Sequence, residues 1–379
     1  MEWKRIRPGS TTRAESPDLS VEVREGEDWD ALGWPSVAGD PTLEMTVFQS
    51  REFLATWMAT IGRDRAVRPA LAVVRDVATR PVLYLPFVVE TRLGVSLLRF
   101  MDAGVADLNA PIMARGRHLT RPEFIAVWKK IRSLLPPLDV VDLRKMPDHL
   151  NGLRNPMTYL PCVSDHIYGH AVELSHLPEI QARAPVTRMR KKLRRQFQRL
   201  GELAPSRFVS NPQNDDAQRV IDGLFDLKRM QYLRTRGRDF LEVPGIRAFY
   251  RAMAARDRLG RISDLSALIC GEEIAAAHLG FIGGDRFYYV MPAYDIRFRA
   301  LAPGYQLLDH LLSHCRDAGF RIFDLGEGEH RYKAKFMTHQ LRLRTCQRAL
   351  TVAGMIYLQA NRIRRRLDIR VPGFLSVDG

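Results

Sequence analysis

In the N-terminal half, the spacing of apolar residues alternates between the period of a helix and that of a strand. Ser50 is a plausible N-cap for a helix with apolar residues at helical spacing, among them Phe53 and Trp57. Thr120 and Glu123 form a capping box, which predicts a helix through Leu134. Strands are predicted at 70–74, 82–89, 95–100 and 138–143, and another over 107–113 after a polar turn. The pattern indicates a mixed α/β unit.

A second α/β pattern begins near Pro185. Residues 151–185 are rich in Pro, Asn, His and Ser, which predicts a connector, with an edge strand at Val172 and Leu174 as the alternative. Helices are predicted from Pro185 past Leu200, over 215–235 and 244–258, after Gly304, and over 361–370, and strands at 265–270, 274–281, 286–291 and 321–325.

Each half therefore reads as helices, an antiparallel meander, then a helix and a strand. This shared order predicts a duplicated fold. The expected divisions are a disordered tail at 1–20, an N-terminal domain at 21–165, a C-terminal domain at 166–350, and a basic helix and tail at 351–379. The length of 379 residues suits two domains of roughly 150 to 180 residues.

The net charge of +15 favours binding of this protein to polyanions. Nucleic acid, an anionic membrane face and phosphorylated cofactors all fit such a charge. Seven cations lie in the helix segment 188–199, and four more at Arg362 and 364–366. Few aromatic residues separate them, so stacking with nucleic-acid bases is poorly supported.

The four cysteines, Cys162, Cys270, Cys315 and Cys346, have no CxxC spacing. We expect buried thiols in a reducing compartment and no metal site. No apolar run approaches the roughly 18 residues that span a bilayer, and the first 20 residues lack an apolar signal core. These features favour a cytoplasmic protein, with a peripheral position at the inner membrane as the alternative.

An apolar strand at 287–291 runs into a loop, then a helix that starts at Pro303 and Gly304, and then a second strand that ends at Asp324. The free N–H groups of a first helical turn and the helix dipole favour an anion. A phosphate-bearing cofactor is therefore predicted beside Gly304.

Three stretches in this half resemble the GNAT acyltransferase superfamily, within it the CelD-like group associated with cellulose and exopolysaccharide biosynthesis. They are 275–280 (AAAHLG) with 286–290 (RFYYV), 294–295 with 303–308 (PGYQLL), and 323–328 (FDLGEG) with Tyr332 and Lys333. In the first half, 48–53 and 107–111 resemble the corresponding segments. The CelD-like group is related to the Fem-type peptidoglycan aminoacyltransferases.

The resemblance implies an α/β fold with mixed sheets. It consists of tandem GNAT-like domains whose central sheets are mainly antiparallel and are flanked by helices. It also implies an enzyme that moves an acyl group from a thioester, acyl-CoA or acyl-carrier protein, to an amine. The acceptor would be an amino sugar or an amino lipid of polysaccharide, cell-envelope or lipid biosynthesis. No tightly bound cofactor is expected.

The GNAT phosphate loop departs from its usual pattern here. Arg299 and Gly304 are kept, but Ala302 replaces a glycine and Pro303 removes an N–H donor. Two alternatives therefore stay open. One is a Fem-type transferase that uses aminoacyl-tRNA, and the other is a non-catalytic scaffold in a polysaccharide-export assembly.

The candidate site residues follow from this reaction. An amine must lose a proton, an oxyanion must be stabilised and a thiolate must leave. A near-neutral pKa would suit His278 as the base, and a core histidine is its structural alternative. The candidate catalytic residues are His278, Asp324, Glu327, Tyr332 and Lys333. The candidate donor-binding residues are Arg299, Pro303, Gly304, Tyr305, Gly326 and Gly328, and the candidate acceptor-binding residues are Asp107, Asn109, Tyr294 and Asp295.

Overall fold

The structure is a computed structural model, and it describes residues 11–15, 18–161, 163–236, 239–255, 262–328 and 333–366. The chain forms two compact units. Unit 1 contains residues 1–167 and 342–379, and unit 2 contains residues 168–341. Each unit is a sheet with helices packed against it.

Unit 1 begins with strands, two short helices and an antiparallel meander. Its elements in chain order are β1 (Thr11–Glu15), β2 (Leu19–Arg24), α1 (Trp29–Leu32), β3 (Leu43–Glu44), α2 (Arg51–Trp57), β4 (Arg68–Asp76), β5 (Pro81–Arg92), β6 (Val95–Phe100), β7 (Ile112–Ala114), α3 (Arg121–Leu134), β8 (Val140–Pro147), β9 (His149–Leu150) and β10 (Leu153–Arg154). Strand β11 (Val163–Glu173) then runs across the boundary between the units.

The rest of the chain forms unit 2 and then returns to unit 1. Its elements are α4 (Leu177–Ala182), α5 (Ala184–Leu203), β12 (Ser206–Ser210), α6 (Asn214–Arg236), α7 (Ile246–Ala255), β13 (Ser263–Cys270), β14 (Glu273–Gly283), β15 (Arg286–Tyr294), α8 (Pro303–Asp317), β16 (Ile322–Glu327), α9 (Lys333–Phe336), β17 (His339–Ala349) and α10 (Val352–Arg366).

The two sheets share one pairing pattern. Unit 1 has the order β2-β4-β5-β6-β8-β17, and unit 2 has the order β12-β13-β14-β15-β16-β11. In both, the first three pairs are antiparallel, the fourth is parallel and the fifth is antiparallel. The last strand of each sheet comes from the other half of the sequence. This pattern confirms the prediction of a mixed α/β fold with two similar halves.

Local signals placed several elements correctly. The Ser50 side chain accepts from the Phe53 amide, and Thr120 and Glu123 form both hydrogen bonds of the capping box that begins α3. In unit 2, α8 packs its apolar face, with Leu308, Leu311 and other residues, into the buried core beneath the sheet.

The expected connector at 151–185 is wrong. Residues 163–173 form β11, and Val172 is fully buried where this strand pairs with β16. The predicted strand at 107–113 is also shorter, since only Ile112–Ala114 form β7. Both segments adopt a structure that depends on partners distant in the sequence, so local composition does not reveal it.

Three further expectations differ from the structure or lie partly outside it. Residues 11–15 pair with β2, so the tail predicted as disordered includes a strand, and residues 1–10 and 16–17 lie outside the described part. Cys346 is disulfide-bonded, although all cysteines were expected to be thiols, while Cys270 and Cys315 are free and buried. Residues 342–349 belong to the sheet of unit 1, and the predicted domain bounds stay predictions.

Candidate active site

Strands β15 and β16 of unit 2 run parallel and then part. Their backbones pair at three successive positions, of which Tyr288 opposite Asp324 is the last. Beyond this point β15 continues to Tyr294 and β16 to Glu327 without pairing with each other. The two strand ends therefore do not use their backbone groups to bond to each other, although Lys228 and Lys333 donate to some of their carbonyls. We call this gap the unit 2 cleft.

A β-bulge lies at the start of this cleft. On β14, Gly280 alone separates Leu279 from Phe281, whereas on β15 two residues, Tyr289 and Val290, fill the same interval. Bulges turn the backbone of one strand and often lie beside functional sites. Gly280 is required here, because a Cβ at this position would lie 2.7 Å from the Tyr288 carbonyl oxygen.

Helix α8 starts after a 3₁₀ helix over Ile296–Leu301 that follows β15. Ala302 caps α8 in the left-handed conformation, with a φ of 51°. Pro303 supplies no N–H, and the amides of Tyr305 and Gln306 both bond to the Ala302 carbonyl at 3.1 Å. The first turn therefore directs fewer N–H groups toward an anion than the sequence led us to expect.

Two buried glutamines hold the loop in front of α8. The Gln196 side chain donates to the Ala300 carbonyl at 2.8 Å, and the Gln306 side chain donates to the Leu301 carbonyl at 2.7 Å. Arg190 adds an ion pair of 2.9 Å with Asp309, which ties α5 to α8. The loop thus has a fixed position relative to the start of α8.

The predicted donor-binding residues gather at this helix start. Arg299 is exposed, and the Tyr294 ring lies 3.3 Å from the position of a Cβ on Gly304. Tyr305 is half-buried, which raises the pKa of its phenol, and Lys335 lies over its ring at 5.4 Å. An exposed arginine beside a helix N-terminus is suited to contact phosphate.

Asp295 has a structural role. Its carboxylate accepts from the backbone and the side chain of Arg297, which caps the 3₁₀ helix. Burial opposes ionisation of Asp295, but these hydrogen bonds outweigh it and lower the pKa of the carboxyl. This carboxylate is engaged within its own loop.

Asp324 is buried in a local network. It accepts from Arg286 at 2.9 Å and from the Gly326 amide at 2.9 Å. Gly326 and Gly328 have φ values of 74° and 92°, so the turn after β16 needs glycine at both positions. The tight turn expected at these glycines is present, and their role toward a donor stays a prediction.

Lys333 closes the same turn. It is only 3% exposed, and its ammonium donates to the carbonyl of Gly326 at 3.2 Å and to that of Glu327. The structure thus brings Asp324, Glu327 and Lys333 together at the end of β16. Glu327 is half-buried there, and Tyr332 lies outside the described residues.

His278 does not have the environment predicted for it. It is fully buried on β14, stacks on Tyr289 at 4.3 Å, and neither ring nitrogen has a hydrogen-bond partner in the described part of the chain. Burial, with a smaller contribution from Lys228, lowers the pKa of His278 to about 3. The expected near-neutral pKa is therefore wrong, and a neutral core histidine fits these contacts better than a general base.

The remaining two candidates, Asp107 and Asn109, lie in unit 1. Asn109 is buried, and its amide donates to Asp102 at 3.0 Å and to the Arg144 carbonyl at 3.2 Å. These contacts stabilise a turn of unit 1, and the role of both residues toward an acceptor stays a prediction.

Sequence reasoning missed Lys228 and Arg286. Lys228 is 8% exposed on α6 and donates to the Pro292 carbonyl on β15 at 2.9 Å. Lys228 directly follows Leu227, an apolar position of the predicted helix, and this is only weak evidence in the sequence for a buried lysine. Arg286 begins β15, and only the register with β16 reveals that it pairs with Asp324.

No group of three or more potential metal-ligating side chains occurs among the residues that the structure describes. No helix within them is both long enough and apolar enough to cross a membrane.

Several solved structures are similar to this chain. FemX is 10% identical, with a TM-score of 0.56 over 88% of this chain and 97% of FemX. A conserved protein of unknown function from Bacteroides thetaiotaomicron is 10% identical, with a TM-score of 0.53 over 84% of this chain and 96% of that protein. A tandem GNAT protein from the clavulanic acid biosynthesis pathway is 13% identical, with a TM-score of 0.48 over 86% and 98%.

At these identities the first two structures show a similarity of fold. A search of curated protein sequences finds no match. The family described as Acetyltransferase (GNAT) domain matches residues 187–334, which lie within unit 2. Residues 187–334 are therefore similar to a GNAT acetyltransferase domain.

Proposed function

We propose that unit 2 is an N-acyltransferase. It moves an acyl group from a thioester donor, acyl-CoA or acyl-carrier protein, to an amine acceptor of polysaccharide, cell-envelope or lipid biosynthesis. The donor is a substrate, and the reaction needs no tightly bound cofactor.

One observation carries this proposal. The β15–β16 pairing ends at Tyr288, and the bulge at Tyr289–Val290 follows at once. The bulge turns backbone groups of β15 at the mouth of the unit 2 cleft, where an extended donor arm can pair with them. The match of residues 187–334 to the GNAT domain supports the same placement of the donor.

The chemistry requires a balanced proton transfer. The amine nitrogen bonds to the thioester carbonyl carbon, and the C–S bond breaks. The amine loses one proton and the leaving thiolate gains one. Backbone N–H groups in the cleft stabilise the oxyanion that develops on the carbonyl oxygen.

Glu327 is the carboxylate that we assign as base. It ends β16, and it is half-buried, whereas Asp324 is engaged by Arg286 and the Gly326 amide. Lys333 positions this strand end through the backbone carbonyls of residues 326 and 327. Tyr332 stays a prediction as the acid that protonates the thiolate.

Free-thiol release with a panel of acyl-CoA donors and amines tests the proposal. Arg299→Glu, at the exposed residue before α8, should raise the KM for acyl-CoA by roughly tenfold and leave kcat nearly unchanged. Arg316→Glu is the matched control, because Arg316 is in the last turn of α8, about 20 Å along the helix from its start.

Glu327→Gln should lower kcat by a factor of about 100 or more without a comparable rise in KM. Absence of thiol release with every donor and acceptor would reject the enzymatic proposal and favour the non-catalytic scaffold.

A second candidate is an aminoacyl-tRNA-dependent transferase of the Fem type. Helix α5 supports it, because it exposes a row of basic residues: Arg188, Lys191, Lys192, Arg194, Arg195 and Arg199. The fold similarity to FemX is compatible with it. Binding of tRNA that weakens steeply with salt, without acyl-CoA turnover, would favour this candidate.

The same basic row fits a peripheral position at an anionic inner-membrane surface. Each basic residue near anionic lipid contributes about 1 kcal/mol. The CelD-like group stays our proposed family within the GNAT superfamily. The proposed acceptor is an amino sugar or an amino lipid. Sedimentation with anionic and neutral vesicles measures the membrane association.

A further inference from the structure

A cavity of about 100 Å³ lies within unit 1, next to the place where strands β6 and β8 part. These strands pair at Leu97–Val140 and Leu98–Val141. The next two residues, Arg99 and Asp142, line the cavity. By its position in the sheet this cavity is the counterpart of the unit 2 cleft, but charged side chains line it.

The cavity wall is strongly basic. Three carboxylates line it, those of Glu90, Asp102 and Asp142. Six arginines line it as well: Arg65, Arg92, Arg99, Arg144, Arg362 and Arg364. The lining therefore has an excess of three positive charges.

Two of the three carboxylates, Glu90 and Asp142, already pair with arginines of this set. Arg99 donates to Glu90 at 3.0 Å and to Asp142 at 2.9 Å. Arg92 also pairs with Glu90, at 2.7 Å, and Arg144 also pairs with Asp142, at 2.8 Å. Three arginines thus share two carboxylates, so this network has an excess of one positive charge.

Within the part of the chain that the structure describes, Arg65 forms no ion pair with a carboxylate. Its Nη2 atom, like Nε of Arg99, is buried and has no hydrogen-bond partner in the described ranges. Burial lowers the pKa of Arg65 to about 10, although Glu90 raises it. A buried guanidinium without a full set of acceptors is costly, and an anion in the cavity would offset that cost.

Helix α10 brings the remaining cations. Tyr357 and Leu358 pack with Val95, Leu97 and Val140 in a small apolar cluster, which holds the helix against β6 and β8. Arg362 and Arg364 extend from the same helix to the cavity, together with Asn361. A ligand would therefore contact the sheet and the helix at once.

We propose that this cavity binds the phosphate group of a small ligand. The unit 2 positions that correspond to Arg99 and Asp142 are Tyr289 and Leu325, both buried, so only unit 1 has a charged lining at this point. A phosphate carries up to two negative charges and three strong acceptor oxygens, which suits several guanidinium groups better than one carboxylate does. The volume exceeds that needed for a water, and it accommodates a small oxyanion.

This inference goes beyond the acyl transfer proposed for unit 2, and a binding measurement tests it without any assay of turnover. Calorimetric titration of the full chain with inorganic phosphate, at constant ionic strength set with chloride, should show saturable binding. Arg65→Gln and Arg362→Gln should each weaken it by roughly tenfold or more, since each removes a charge-assisted hydrogen bond.

Arg63→Gln is the matched control. Arg63 is 76% exposed, lies two residues before Arg65 and does not line the cavity, so this variant should bind phosphate like the wild type. Arg362 is exposed, so Arg362→Gln keeps the test valid even if Arg65→Gln folds poorly.

Two further arms distinguish the source of the phosphate. Glycerol 3-phosphate tests a free phosphate ester, and vesicles of phosphatidylglycerol in phosphatidylcholine test a lipid headgroup. Binding in either arm that is lost in Arg65→Gln and Arg362→Gln supports the site and identifies its source. Absence of binding in all arms, or wild-type affinity in both variants, overturns the proposal.

Discussion

Arg99 and Asp142 are joined by an ion pair of 2.9 Å at the first position where the backbones of β6 and β8 no longer pair. In unit 2 the corresponding position is occupied by Tyr289 and Leu325. The two units therefore share the geometry of diverging parallel strands and differ in what lines it. Because of this difference, we propose a thioester-binding cleft in unit 2 and an oxyanion-binding cavity in unit 1.

Asp142→Asn should destabilise unit 1 strongly, because it removes the charge of a buried carboxylate that pairs with both Arg99 and Arg144. Breaking a buried pair costs about 3 to 5 kcal/mol, which urea denaturation at pH 7 measures. Asp148→Asn is the control. Asp148 pairs with Arg344 in a half-exposed place, so its loss should stay near 1 kcal/mol or below.

The same aspartate predicts a dependence on pH. Burial opposes ionisation of Asp142, but Arg99 and Arg144 outweigh it and lower its pKa to about 2 from 3.8. The resulting stability is present above pH 3.8 and is lost as the pH falls toward 2. Equal acid sensitivity of the wild type and Asp142→Asn across this window would contradict the assignment.

His278→Phe should make the protein less sensitive to mild acid. The folded pKa of about 3 lies below the ordinary value of 6.5, so the unfolded chain binds the proton first. The contribution of neutral His278 to the free energy of unfolding is complete above pH 6.5, and about 2 kcal/mol of it is lost by pH 5. Denaturation at pH 7 and pH 5 should show a smaller difference in the variant than in the wild type.

His176→Gln removes an exposed histidine and should keep the wild-type slope. The rate of acyl transfer by His278→Phe should also retain the wild-type pH profile above pH 5. A profile that loses one ionisation in His278→Phe would restore His278 as the base.

Gly280→Ala should disturb the bulge at Tyr289–Val290. The added Cβ would lie 2.7 Å from the Tyr288 carbonyl oxygen and 2.6 Å from the His278 ring, and neither can move without displacing the sheet. We expect a loss of about 1 to 3 kcal/mol and a larger fall in transfer rate. Gly201→Ala in α5, where a Cβ meets nothing within 4 Å, should be neutral or slightly stabilising. Similar behaviour of the two variants would argue against a functional bulge.

Features that depend on adjacent residues could be predicted from the sequence. The capping box of Thr120 and Glu123 and the glycine turn at Gly326 and Gly328 are local, and both are present. The order of helices and strands in the two halves also follows from local periods, so the fold class was predictable.

Features that depend on strand register were not predictable. Residues 163–173 become β11 because they pair with β16, and Arg286 meets Asp324 because β15 and β16 run parallel in one register. The burial of His278 has the same origin, since packing on Tyr289 decides its environment. The residues next to a position in the sequence do not show which distant residues it will pair with.

Lys333→Met should show whether Lys333 positions the turn or acts on substrate. The ammonium holds the carbonyls of Gly326 and Glu327, so its loss should destabilise the protein by about 1 to 3 kcal/mol. Hydrogen exchange should rise over 322–328, and kcat should fall with it. Lys335→Met is the control, because Lys335 is exposed on the same short helix and contacts the Tyr305 ring. If Lys333→Met keeps its stability and exchange protection but loses kcat, Lys333 acts directly on the reacting groups.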